Sequence, residues 1–355
     1  EPMIKSLPAN SKYTGALPKG CVHCKSGRKL VLFVTGRCYQ NCVYCPLSVE
    51  KRGKDAVWAN ELRVERDEDV LYEARMIDAV GVGITGGEPA LVIERVKHYN
   101  NLLKSNFSYF HTHLYTTTHS KEIIACFEDA NVDELRFHIP VKYWESLEKS
   151  PYARAIRFAL GTKMTVGIEV PVFPNRGREL QRLLKESFNL GIEFVNLNEL
   201  EFSETNWEGL RRLKIREKGG ISAAAKGSEE VALKMLREFE DYRVHYCSSA
   251  FKDRVQLRNR LLRRAKNVAK DYEVVTEEGT LLKGIIYSEE PWKLKQKLVE
   301  EFGIPENLVE VVKGKKMVLT HPGILEEIAR ELGEKAYIVE VYPTEDGLEV
   351  ERIPL

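Results

Sequence analysis

With 355 residues the chain can form one large α/β unit with an appendage, or two domains. Its 54 Lys and Arg stand against 53 Asp and Glu, a net charge of +1, so overall charge selects no anionic partner and any basic recognition surface must be local. No apolar run approaches the roughly 18 residues of a membrane span, and no secretory h-region is evident, which points to a cytoplasmic protein with no membrane partner.

The abundance of Glu, Lys and Arg resembles thermophile surfaces. Seven cysteines, an odd number crowded toward the N-terminus, read as metal ligation in a reducing compartment rather than as a disulfide framework. Glu1 and Pro2, ahead of Met3, are set aside for the fold.

Residues 3–27 are rich in Pro, Gly and Lys and contain Gly20-Cys21-Val22-His23-Cys24. A Cys-x2-Cys is half a zinc or iron–sulfur site and needs ligands from elsewhere. Cys247, in Val244-His245-Tyr246-Cys247-Ser248, is the best distant thiol, with His23, His245 or a substrate to complete the set. Three unrelated reduced thiols are the plainer alternative. Cys126, in Ile123-Ile124-Ala125-Cys126-Phe127, reads instead as a buried structural cysteine on a helix face.

The apolar run Leu30–Val34 predicts a first strand over 30–35. It leads into Cys38-Tyr39-Gln40-Asn41-Cys42-Val43-Tyr44-Cys45. Three thiolates can hold three irons of a cubane and leave the fourth iron open. Loops at the carboxyl ends of parallel strands are where α/β barrels keep their chemistry.

A helical period over 67–79 precedes a buried strand at 80–84 that ends in Thr85-Gly86-Gly87-Glu88-Pro89. Helix 90–104 leads to strand 110–116 and the hydroxyls Thr116, Thr117 and Thr118, which suit ligand hydrogen bonds or a helix cap. After helix 119–130, strand 133–139 places Arg136 and His138 on one face. Strand 163–172 embeds Glu169 among apolar residues, a carboxylate that needs a cationic or hydroxyl partner. Helix 178–190 and strand 193–198 close the series, with Asn196 and Asn198 on a common face.

The octapeptide, with Tyr44 before its last cysteine, resembles the signature of the radical SAM superfamily, and Gly86-Gly87-Glu88-Pro89 is similar to that family's GGEP motif. The resemblance covers about residues 28–204. It implies a partial (β/α)6 TIM-type barrel, and a 4Fe-4S cluster on Cys38, Cys42 and Cys45 whose open iron chelates S-adenosyl-L-methionine. An external one-electron reductant then drives cleavage to a 5′-deoxyadenosyl radical that abstracts a substrate hydrogen. It also implies cofactor-binding roles for Tyr44, Gly86, Gly87, Glu88 and Pro89. Thr116, Thr117, His138, Glu169, Asn196 and Asn198 are further candidates for the ligand side. Auxiliary clusters in the family make Cys21, Cys24 and Cys247 candidates for a second iron–sulfur cluster, with zinc as the other option.

Beyond 205 the pattern changes. Residues 208–227, including Lys218–Gly227, read as a basic, Gly/Ala-rich mobile loop, followed by helix 229–240. Residues 253–270 carry Arg254, Arg258, Arg260, Arg263, Arg264, Lys266 and Lys270 along a helix, either a phosphate-binding face or a solvated one. From 271 a small α/β module opens with a hairpin at 273–287, then alternates helices at 291–302 and 322–333 with strands at 307–312, 316–319 and 335–342.

This divides the chain into an extension (1–27), the barrel (28–204), linker helices (205–270) and a C-terminal domain (271–355). The basic helix and open barrel favour a nucleotide or RNA substrate. The alternatives are a glycyl-radical or peptide-modifying activase of the same superfamily, and a non-catalytic, zinc-stabilised nucleic-acid-binding protein.

Overall fold

A computed structural model describes residues 3–220 and 222–355; Glu1, Pro2 and Ile221, the last within the expected mobile loop, lie outside the described residues. The chain divides into two compact units, one running to Arg75 and from Ala79 to Leu257, the other made of Met76–Asp78 and Arg258–Leu355.

The first unit is a chain of β/α units. Helix α1 (Lys19–Lys25) precedes β1 (Lys29–Phe33), α2 (Asp67–Met76), β2 (Gly81–Thr85), α3 (Ile93–Asn106) and β3 (His111–Thr116). Then come α4 (Lys121–Asp129), β4 (Glu134–Phe137), α5 (Pro151–Leu160), β5 (Thr165–Val172), α6 (Gly177–Asn189) and β6 (Phe194–Glu199). The set ends with α7 (Trp207–Arg212), α8 (Ser228–Glu238) and β7 (Val244–Cys247). Helix starts follow local chemistry: Ser120 and Ser150 accept from the amides of Ile123 and Tyr152 at the heads of α4 and α5.

Strands β1 to β7 lie side by side in sequence order, and every neighbouring pair is parallel. Short antiparallel strands flank them: Trp58–Ala59 and Leu62–Arg63 beyond β1, Lys12–Thr14 and Ile4–Ser6 beyond β7. The result is an open, mixed sheet of eleven strands with no closed barrel.

Six of the seven parallel strands lie where sequence places them. The seventh, Val244–Cys247, reads in sequence too as a strand segment around Cys247, but it lies in the parallel sheet and not among linker helices of 205–270. Residues 208–227 are likewise no plain loop, since α7 and an antiparallel hairpin of Glu217–Gly219 with Ser222–Ala225 occupy them. The N-terminal extension is structured too, and it belongs to the first unit.

Alternation along these strands separates two faces. Leu30, Leu32, Val82, Ile84, Leu114, Leu135, Phe137, Val166, Ile168, Val195 and Leu197 are buried on one. The other carries His111, His113, Tyr115, Glu134, Arg136, Glu169, Asn196, Asn198, His245 and Cys247 in lateral register. Helix α1 packs against the amino-terminal part of this polar face. Gly20 permits the approach, because a Cβ there would lie 2.5 Å from Arg136 Nη2 and 2.6 Å from His113 Nδ1.

The second unit is built on different terms. Helix α9 (Arg258–Val268) leads into β8 (Val274–Val275) and β9 (Leu281–Tyr287), then α10 (Pro291–Glu300), β10 (Val309–Val311) and β11 (Met317–Thr320). Helix α11 (Pro322–Leu332), β12 (Lys335–Val341) and β13 (Glu349–Pro354) complete it. Strands β10-β11-β9-β12-β13 form an antiparallel sheet, with β8 paired to β9. Strands β9 to β12 with α10 and α11 follow the split βαββαβ order. Apolar clusters centred on Ile286, Leu298 and Leu325, and on Leu281, Val339 and Ala265, supply its core.

The basic run, read in sequence as either a phosphate-binding or a solvated face, is largely ion-paired within this unit. Arg258 pairs with Glu278, Arg263 with Asp78, Arg264 with Glu345 and Lys270 with Glu310. The stretch is also not one α-helix, because Lys252–Leu257 adopts a π-helix. No helix among the described residues is long and apolar enough to cross a membrane.

Candidate active site

The carboxyl ends of the parallel strands surround a cavity of about 560 Å³. Its lining joins Cys38, Cys42 and Cys45 to Tyr44, Gly86, Gly87, Thr116, Thr117, His138, Glu169 and Asn198. Residues scattered over 160 positions of sequence are thus gathered around one space, because each follows or ends a neighbouring strand.

The thiol loop is fixed through its backbone. Arg95 donates from Nη1 to the Val34 carbonyl at 2.7 Å and to Asp55 at 2.6 Å, bracing the end of β1. The Gly86–Glu88 turn docks on the residues before Cys38: Gly87 N donates to Thr35 O at 2.7 Å and Glu88 N to Arg37 O at 2.8 Å. Gly86 sits at φ +153°, and a Cβ on Gly87 would lie 2.2 Å from Arg37 O, so both positions need glycine. From the far end of the sheet, Thr205 Oγ1 donates to Leu47 O at 2.7 Å and Cys45 O at 3.1 Å, while Asn206 Nδ2 donates to Tyr44 O at 3.1 Å.

All three thiols are free. Burial pushes the Cys38 and Cys42 thiols above their ordinary range. The Tyr44 hydroxyl is hydrogen-bonded to His138 Nε2 at 2.8 Å, and its ring meets Phe173 edge-on. Among the described residues no three His, Cys, Asp or Glu side chains form a group able to hold one metal ion.

Three expected ligand-side residues lie off the cavity lining. Glu88 is fully buried: it accepts from Thr116 Oγ1 at 2.7 Å, Thr117 N at 2.6 Å and Ala90 N at 2.9 Å, tying the end of β2 to that of β3. Pro89 is buried at the first position of a 3₁₀ turn. Asn196 lies beneath the cavity, not on its wall. Its Nδ2 donates to Glu169 Oε2 at 2.9 Å, and Asn198 donates to Oε1 at 2.8 Å.

Arg136 completes that floor. It donates to Glu169 at 2.8 Å and also pairs with Glu134. Burial alone would raise the Glu169 pKa, but the Arg136 charge and the two amides hold it below the usual carboxylate range.

Cys21, Cys24 and Cys247 stand outside this cavity, deeper on the same sheet face. Cys126, expected to be buried, is only half-buried on α4. Sequence reasoning also missed cavity residues. Glu199, Glu201 and Lys252 line the side opposite the glycine turn, with Lys252 Nζ 3.3 Å from Glu201 Oε1. Their only signal is position, just past the ends of β6 and β7.

Comparison with known proteins gives three findings. Residues 279–355 match a family described as "Domain of unknown function (DUF8061)". A Methanocaldococcus jannaschii protein, provisionally named a glycyl-radical enzyme activating enzyme, is 42% identical over 96% of this chain and 93% of its own.

Solved structures overlap more loosely. Native anSMEcpe with bound AdoMet and Cp18Cys peptide is 16% identical, covering 60% of this chain and 58% of that one at a TM-score of 0.41. The radical S-adenosylmethionine methyltransferase TsrM from Kitasatospora setae is 10% identical, covering 75% and 58% at 0.38. This chain therefore spans under two thirds of those structures, and the assignment rests on the curated relative. On that full-length match, the chain belongs to the radical SAM family and is an enzyme of that class.

Proposed function

We propose that the chain removes a hydrogen atom from a polypeptide, at a glycine α-carbon, by radical S-adenosylmethionine chemistry. The observation that carries this reading is the single cavity joining Cys38, Cys42 and Cys45 to the Gly86–Gly87 turn and the ends of β3 to β6. The polypeptide comes from the name of the Methanocaldococcus relative, which fits better than RNA now that most of the basic helix is internally paired.

On this reading the seven parallel strands form the family's partial barrel. Cys38, Cys42 and Cys45 hold a 4Fe-4S cluster which, when bound and reduced by an external one-electron donor, supplies the electron that cleaves S-adenosylmethionine. The exposed strand-end backbone at Gly86 and Gly87 receives the polar methionine end of the cofactor. Thr116 and Thr117 border it, and the Tyr44–His138 pair fixes the wall beside the third cysteine. Glu169 stays ionised under the hold of Arg136, Asn196 and Asn198, and offers remaining lone pairs to a ribose hydroxyl. Val170, Pro171 and Leu200 keep part of the wall apolar and limit water near the reacting centre.

Lys252 and Glu201 face the remaining space and suit the charged or amide groups of a bound peptide. The second unit, with an apolar core and a separate groove lined by Lys283, Tyr287, Lys316, Glu349 and Arg352, serves partner recognition. Cys21, Cys24 and Cys247 belong to a second metal centre, iron–sulfur or zinc.

The test uses an anaerobic extract of cells lacking this protein, grown on glycine deuterated at the α-carbon. Added enzyme, reductant and S-adenosylmethionine should yield deuterated 5′-deoxyadenosine. Unlabelled 5′-deoxyadenosine would sink the glycine target, and none at all would sink the radical chemistry.

A further inference from the structure

The antiparallel sheet of the second unit is covered unevenly. Leu298 of α10 and Leu325 of α11 close one face over Ile286, Val318 and Ala336. On the other face Ala265 of α9 clusters with Tyr272, Leu281, Leu319 and Val341, and beside that cluster lies a groove of about 630 Å³. Its apolar lining comes from Ile285, Met317, Val339 and Val341. Its charged lining is Lys283, Lys315, Lys316 and Arg352 against one carboxylate, Glu349. In a chain whose charges otherwise balance, this is a local basic surface. Glu273 and Glu289, the partners of Lys283 and Lys316, stand outside the lining. The Lys316–Glu289 pair is an exposed one, which a ligand carboxylate can replace at little cost.

Strand β13 bounds the groove and is also an edge of the sheet, paired with β12 alone among the described residues. Arg352 lies opposite Val339 and Glu349 opposite Val341, and a register shift between these pairs brings both charged residues onto the groove wall. All six residues of β13 are exposed. In and beside it Leu348, Val350, Ile353 and Leu355 are each between 43% and 60% exposed. An edge strand presents a row of amide and carbonyl groups, and the ligand that matches such a row is another extended chain. The exposed aliphatic side chains add apolar contacts along the same line.

A single nucleic-acid strand would need free aromatic faces on which to stack its bases. Here the rings are engaged with one another. Tyr287 and Tyr337 meet edge-on with centroids 5.8 Å apart, and the Arg352 guanidinium lies 5.2 Å from the Tyr337 centroid. Arg352 is held there by donating to Glu349 at 2.9 and 2.8 Å and to the Tyr287 hydroxyl at 2.9 Å. We propose that the β13 edge and the groove together bind an extended, acidic segment of a polypeptide partner. Its main chain pairs with β13, and its alternate carboxylates meet Lys283, Lys315 and Lys316. This rests on the recognition role of the second unit and not on the radical chemistry.

The experiment is fluorescence anisotropy of a labelled Glu-Val-Glu-Val-Glu-Val-Glu peptide with the full-length protein. Saturable binding is expected, weaker at about 300 mM salt than at about 50 mM. Lys315→Glu/Lys316→Glu, two changes at exposed positions, should weaken it about tenfold while S-adenosylmethionine cleavage and circular dichroism stay unchanged. Two further peptides, N-methylated at every valine or at every glutamate, test the strand pairing. Only the one whose methylated amides face β13 should lose binding, and equal binding by both would refute the pairing. No binding up to about 1 mM, or full binding by the lysine variant, would overturn the proposal. Tighter binding of a labelled oligothymidine would overturn it too, in favour of nucleic acid. None of these outcomes touches the deuterium transfer that tests the chemistry of the cavity.

Discussion

The two units solve the problem of a core in opposite ways. In the first, one face of a parallel sheet is apolar, while the other buries Glu134, Arg136, His111, His113, Asn196 and His245. The second has apolar clusters, and many of its charges form ion pairs at its surface. Buried charge without full pairing destabilises, whereas aliphatic packing stabilises. The polar face of the first unit therefore depends on pairing such as Glu134–Arg136–Glu169, and the second unit on apolar packing.

Breaking the thiol loop should have the largest effect. Cys42→Ala is expected to abolish 5′-deoxyadenosine formation, read by chromatography, with both units still folded. Next comes Arg136→Met, which strands Glu134 and Glu169 without their cation. A loss of about 3–5 kcal/mol is expected in the first unit alone. Hydrogen exchange resolved by peptide would follow each unit, and equal loss in both would erase the contrast.

Leu298→Ala tests the other side. This leucine is fully buried in the apolar cluster, so the substitution should cost about 3 kcal/mol in the second unit and leave S-adenosylmethionine cleavage unchanged.

Acid should also distinguish the units. Burial, with help from Lys29, depresses the His111 pKa to about 2, and burial with Arg136 lowers that of His113. The unfolded chain takes up these protons below about pH 6.5 and the folded one does not, so stability falls as pH drops through that value. On the order of 2 kcal/mol should go between pH 6.5 and 5 in the first unit. The second unit contains neither of these buried imidazoles and should lose less over the same interval. The smallest effect is expected for Arg352→Ala, which removes a surface pair with Glu349 and should change stability by less than about 1 kcal/mol.

Sequence legibility follows the same division of forces. Strands β1 and β2 announce themselves as apolar runs, and β3 to β6 by apolar residues alternating with polar ones. The seventh, around Cys247, is legible as a strand segment, but its place beside β6 is not, since lateral pairing depends on the fold. The hairpin at 217–225 is hidden by glycine and alanine, and β13 by its charges. Motif spacing singled out Cys38, Cys42, Cys45, Gly86 and Gly87, which line one cavity. It could not say that Glu88 turns inward to Thr116 and Thr117, since side-chain direction depends on neighbours that only the fold supplies. Lys252, Glu199 and Glu201 carry no motif at all.

The braces on the thiol loop bear on the order of events in the cell. Residues 34–37 are gripped from β2 and α3, and residues 44–47 from Thr205 and Asn206, all through backbone carbonyls and amides that involve no sulfur. In many small metalloproteins the metal organises the chain that receives it. If Cys38, Cys42 and Cys45 hold the cluster proposed above, these sulfur-free braces favour a loop shaped before iron arrives, and iron delivery would then be a docking event on a folded protein.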